Sequence, residues 1–140
     1  MKYSELKTGR EFLKKLDHDA DLLDSIRDFA EACGIRLGVF TAIGALKEAR
    51  ISFYDQKEKK YGVIEIIEPL EIASLVGNIS MKDGKVFAHA HATLSGRDGA
   101  VKAGHFEGGR IFACELYLRE LTGAEFVRAY DEVTGLSLWG

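Results

Sequence analysis

The chain has 140 residues, of which 46% are hydrophobic and 29% charged, and its formal net charge is −3. That length predicts one domain over residues 1–140, and that balance predicts a core-forming protein and excludes a disordered one. The acidic excess argues against unaided nucleic-acid binding, which needs a basic surface to neutralise phosphates. No apolar run approaches the ~20 residues that cross a bilayer. The start, "MKYSELKTGREF", lacks the apolar stretch of a secretory signal, so the expected compartment is the cytoplasm, without a membrane partner.

In chain order, "REFLKKL" (10–16) reads as a short strand leading to a helix. The helix is "DADLLDSIRDFAEACG" (19–34), where Leu22, Leu23, Ile26, Phe29, Ala30 and Cys33 recur at helical spacing. Asp19 is the expected N-cap, Asp21 and Asp24 suit the positive end of the dipole, and Gly34 closes the helix in the left-handed region. "IRLGVFTAIGAL" (35–46) is nearly continuously apolar and reads as a strand buried on both faces. "EARISFYD" (48–55) follows closely enough to pair with it. The basic cluster "DQKEKKYG" (55–62) is diluted by its acids and reads as a solvated turn.

"YGVIEIIEPLEIASLVGNIS" (61–80) predicts two extended pieces broken near Pro69, since proline cannot donate to a ladder. "KVFAHAHATLS" (85–95), "GAVKAGHFEG" (99–108) and "GRIFACELYLREL" (109–121) continue the strands. The tail "AEFVRAYDEVTGLSLWG" (124–140) reads as a last strand or a docking arm. Cys33 and Cys114 lack metal-like spacing and read as reduced thiols. One main helix against a largely antiparallel sheet predicts an α+β fold.

Three of the four histidines fall between Val86 and Gly109. Strand alternation puts His89 and His91 on one face, and Ala88, Ala90 and Ala92 on the other, where something can pack closely. "GRDGA" fits a three-residue loop, Arg97-Asp98-Gly99, with the glycine left-handed. Gly96 then opposes Ala100, and counting outward sets His105 opposite His91, on the same face. A two-residue Asp98-Gly99 turn would send His105 to the far face, and a bulge at Gly104 would make or correct that slip.

Three converging neutral imidazoles suit zinc, with iron, nickel, copper and cobalt as competitors. Three protein ligands leave a coordination position open, the pattern of sites that exchange ligands. Glu107 shares parity with His105 and is a candidate fourth ligand or a hydrogen-bonding partner for a coordinating imidazole. Glu115, on the polar face of "IFACELYLRE", is a weaker candidate for the second role. For both, a solvated surface carboxylate is the plainer reading. His18, in the loop before the helix, reads as a structural hydrogen-bonding histidine.

"GVFTAIGAL" (38–46), "ISFYD" (51–55), "SLVGNIS" (74–80) and "HAHATLSGRDGAVKAGHFEGGRI" (89–111), followed by "ELYLRELTG", resemble the PPC family, the plants and prokaryotes conserved domain, also labelled DNA-binding. The likeness covers nearly the whole chain. It implies an α+β domain whose sheet wraps one helix, assembled as a homotrimer. In prokaryotic members the H-x-H and the later histidine resemble a metal site, which maps onto His89, His91 and His105. Ala103-Gly104 stands where many members carry two glycines before the histidine, a departure that leaves the ligand in place. Plant members lack the histidines and contact DNA through an AT-hook with an Arg-Gly-Arg-Pro core; this sequence has none.

Two functions follow as expectations. The first is a zinc-binding trimer whose open metal position binds or transforms a small molecule, with Glu107 or Glu115 as general base if it is an enzyme. The second is a DNA-associated regulatory or interaction module without catalysis, with the metal as a structural pin. No nucleophile motif, phosphate-cradling loop or nucleotide fingerprint is present.

Overall fold

A computed structural model describes residues 3–140. The elements are β1 (Lys7–Leu16), α1 (Leu22–Ala32), β2 (Gly38–Asp55), β3 (Lys60–Ile66), β4 (Leu70–Lys82), β5 (Lys85–Ser95), β6 (Val101–Thr122), β7 (Val127–Asp131) and β8 (Leu136–Trp139). All eight strands belong to one sheet. The expected α+β fold, a sheet wrapped around one main helix, is therefore corrected to a mostly β fold. The reason lies in strand length. Runs of β-branched and aromatic residues carry β2 and β6 through 18 and 22 residues, whereas α1 has only 11.

Segments 35–46 and 48–55 do not pair with each other; they merge into the single strand β2. Its first half lies between β4 and β6, and its second half between β3 and β6. Because β5 in turn joins β4 to β6, the strands β2, β4, β5 and β6 close into a ring. β1 adds to the free side of β6, and the β7–β8 hairpin joins the end of β4 by a short parallel pairing. The break at Pro69 falls between β3 and β4, as expected.

β2 is not buried on both faces. Phe40, Ala42 and Leu46 point into the core, while Val39 and Ile43 face out, Ile43 57% exposed. Antiparallel strands commonly bury one face only, and β2 follows that rule despite its apolar sequence. Register aligns Leu13, Tyr117, Thr41, Val76 and His91 in one row across β1, β6, β2, β4 and β5. That outer row mixes apolar Leu13 and Val76 with the hydroxyls of Tyr117 and Thr41 before it reaches the histidine.

The helix is a minor element packed on β5 and β6. Its Leu22, Ile26 and Ala30 share one buried cluster with Ala88, Ala90 and Ala92, whose small side chains admit it. The N-cap is Asp21 and not Asp19. Asp21 Oδ1 accepts from the amides of Leu23 (2.9 Å) and Asp24 (3.1 Å), and its Oδ2 accepts from Gly109 N (3.1 Å). Asp19, at φ 66, instead pairs with Lys47 and lies 3.5 Å from Arg110. Gly34 closes the helix at φ 68, as its position predicts. Asp21→Ala should cost about 1–2 kcal/mol of stability, the upper part of the range for a lost cap, because the same carboxylate ties α1 to β6. A lowered denaturant midpoint at unchanged slope would show it.

Both cysteines are free thiols, and burial pushes Cys114 up to about 11. Among the described residues, no helix is long and apolar enough to cross a membrane.

Candidate metal centre

The β5–β6 turn decides whether the histidines meet. Gly96 N donates to Ala100 O (3.0 Å) and Gly99 N to Gly96 O (3.0 Å), with Gly99 at φ 78. Asp98 Oδ1 accepts from Ala100 N (2.9 Å) and stiffens the loop. The loop thus has three residues, Ser95 pairs with Val101, and His91 stands directly opposite His105. His89, two residues along β5, projects from the same face.

The three imidazoles form a compact triangle. Ring centroids are 5.3 Å apart for His89 and His91, 5.0 Å for His89 and His105, and 5.5 Å for His91 and His105. One nitrogen from each ring lies within 4.8 Å of the other two. His89 Nε2 and His105 Nδ1 are 3.2 Å apart. This is a ring-to-ring hydrogen-bond distance, and it is also close to the roughly 3.3 Å that two tetrahedral zinc–nitrogen bonds of about 2.05 Å would require.

Electrostatics favour the ligand form of the rings. Burial, with the Arg128 cation and the neighbouring imidazoles, pushes His89 down to about 4. Burial also lowers His105, against an opposing pull from Glu107. Both shifts favour the neutral form, the one that can offer a lone pair to a cation. His91 is the exposed member.

Glu107 lies behind His105, on the side away from the other histidines. Its Oε1 accepts from Ser52 Oγ (2.7 Å) and is 3.8 Å from His105 Nε2, beyond hydrogen-bond reach. It is a neighbour of the triangle and not a fourth corner. Glu115 is ten positions beyond His105 along β6, about 30 Å in extended backbone, and pairs with Ile43 and Lys15. The fold keeps it out of the site. His18 bonds Phe112 O through Nδ1 (2.7 Å) and Lys47 Nζ through Nε2 (3.0 Å), a structural role.

Sequence reasoning missed Arg128. This residue of β7 is 9% exposed, and its Nη2 lies 3.3 Å from His89 Nδ1. It reaches the site through a two-residue parallel pairing, Met81 with Val127 and Lys82 with Arg128. No local pattern in the tail signals that contact. Tyr61 was missed as well; its ring stacks at 5.0 Å from His105, and burial raises its hydroxyl above the usual range.

Residues 3–122 match the Plants and Prokaryotes Conserved (PCC) domain family. Among solved structures, the chain is similar to a metal-containing protein from Archaeoglobus fulgidus, at 47% identity and TM-score 0.96 over 99% of each chain. It is also similar to a plant- and prokaryote-conserved (PPC) protein from Pyrococcus horikoshii, at 35% identity and TM-score 0.96, covering 100% of this chain and 97% of that one. A candidate DNA-binding protein from Ralstonia eutropha shares 26% identity at TM-score 0.83, over 91% of this chain and 89% of that one. No curated protein matches the sequence. The match spans the segments on which the sequence resemblance rested, up to Thr122, and the chain belongs to the PCC domain family.

Proposed function

We propose that this protein is a homotrimeric metal-binding protein in which His89, His91 and His105 of each chain hold one zinc ion that presents an open position to a small molecule. The observation that carries this reading is the convergence of three imidazole nitrogens within 4.8 Å. The Archaeoglobus relative, described as metal-containing, supports it. A zinc ion on three imidazoles supplies Lewis acidity to whatever occupies the open position. Support for assembly comes from the outer face, where Leu13, Val39, Ile43 and Val76 are exposed on neighbouring strands. The cytoplasm is the proposed compartment, where both thiols stay reduced.

The description of the Ralstonia relative favours a second reading, a DNA-associated module without catalysis. The surface gives it little help. The net charge is −3, and Arg10, Arg27, Arg36 and Lys102 each face a carboxylate. Native mass spectrometry tests the preferred reading in one measurement. The expected species is a trimer carrying three zinc ions, all lost on dialysis against a chelator while the far-ultraviolet circular dichroism is retained. A chain purified without stoichiometric metal overturns the metal centre, and a monomer overturns the assembly.

A further inference from the structure

Beside the histidines lies a cavity of about 240 Å³, lined by His89, His105, Tyr61 and Phe87 on one side and by Leu136, Ser137 and Leu138 of β8 on the other. Two cations, Arg128 and Lys82, line it, and no carboxylate does. Arg128 donates from Nε to Ser80 Oγ (3.0 Å), from Nη1 to Ser137 O (2.9 Å), and from Nη2 to Asn78 Oδ1 (2.9 Å) and His89 Nδ1 (3.3 Å). Every one of those acceptors is neutral. Arg10, Arg27, Arg36, Arg110 and Arg119, all more exposed, each have a carboxylate within 4.0 Å. Among the described residues Arg128 forms no ion pair, although burial makes an uncompensated charge most costly there.

Lys82 repeats the pattern. Its Nζ lies 5.3 Å from the Phe87 ring centroid, and the Arg128 Cζ lies 5.2 Å from the same ring. Two like charges thus share one aromatic wall, and no ion pair of Lys82 occurs among the described residues. Such an arrangement is stable when an anion enters between them.

We propose that this cavity binds a small carboxylate, its charge held by Arg128 and Lys82 and its far end turned toward His89 and His105. The placement of that far end rests on the metal reading above; the charge site does not. A guanidinium has five N–H donors, and four of those on Arg128 are engaged, which leaves one on Nη1. Metal occupancy would release another. A neutral imidazole that gives its Nε2 lone pair to an ion carries its proton on Nδ1, and His89 Nδ1 then faces Arg128 as donor against donor. The cavity is smaller than the ~300–1,000 Å³ of drug-sized sites, so the ligand has few heavy atoms.

The test titrates propionate, its neutral isostere propionamide and inorganic phosphate into zinc-loaded and chelator-treated protein, following the Arg128 Nε–H resonance by NMR. Propionate should shift that resonance in both forms, more tightly in the zinc form, and propionamide should not. Lys82→Gln should weaken propionate about tenfold, the effect of one lost charge-assisted bond. That variant avoids Arg128, whose bonds to Ser80, Asn78 and Ser137 also join β4 to β8. Equal response to propionate and propionamide, no response at all, or phosphate bound more tightly than propionate overturns the carboxylate site. Propionate binding by a chain that takes up no zinc supports the charge site while removing the metal centre. Zinc uptake without any propionate response does the reverse.

Discussion

His105→Ala should leave a folded chain that no longer holds stoichiometric zinc. The ring contributes one of three converging nitrogens, 3.2 Å from its nearest partner nitrogen. It lies on the outer face of the β5–β6 pairing, outside the buried cluster that stabilises the ring of strands. The hairpin register is set by the Gly96–Ala100 turn and by the pairing of Ser95 with Val101, and neither uses the imidazole. Loss of a hydrogen-bonding partner behind a ligand already lowers metal affinity about 10–100-fold, so loss of the ligand itself should exceed about 100-fold. Competition with a chromophoric chelator measures this, with circular dichroism as the folding check. His18→Ala serves as the control, because His18 is occupied by Phe112 O and Lys47 and should leave zinc binding unchanged. Tight zinc binding by His105→Ala would sink the three-histidine set.

Gly77→Ala should damage stability and the site together. Gly77 lies between Phe40 of β2 and Ala90 of β5 in the ladder. A Cβ there would strike the carbonyl oxygen of His89 and the tip of the Phe40 ring, with Phe40 Cε2 at 2.7 Å. Phe40 is fully packed in the core, and the His89 carbonyl is fixed in a β-ladder, so neither can give way cheaply. Overpacking of this kind costs about 1–3 kcal/mol. Here the strain falls on the backbone of a proposed ligand, so weaker zinc binding should accompany the lower melting temperature. Gly62→Ala in β3, where the nearest atom to a Cβ is 3.9 Å away, should do neither. If the two variants melt together, the close approach at Gly77 is not limiting.

The parts of the fold that were legible in the sequence are those set by near neighbours in the chain. "GRDGA" fits a three-residue or a two-residue turn; the structure has the three-residue loop, whose parity sets His105 opposite His91. Gly34 marked the helix end by its conformational freedom, and Pro69 marked the break between β3 and β4. What failed depended on distant partners. Asp19 and Asp21 are equally good caps by type; the choice falls to Asp21, which also reaches the Gly109 amide on β6. Segments 35–46 and 48–55 were read as a pair because nothing between them announced that each would find other partners. The helix is conspicuous in the sequence because its periodicity is clear over a short stretch, yet the long strands carry most of the core. Arg128 was invisible for the same reason, since its meaning comes from β4.

The ring formed by β2, β4, β5 and β6 bears on how an ion would be captured. His91 and His105 have ladder partners on both sides, Val76 and His105 for the first and His91 and Ser52 for the second, while His89 pairs on the β4 side with Asn78. Imidazoles on such a frame keep their mutual positions before any ion arrives, and little conformational entropy is lost on capture. Small zinc-folded domains differ, since their chain collapses when the metal leaves. On the proposed reading, loading and release would be decoupled from folding, and the centre would empty and refill on a scaffold that does not change.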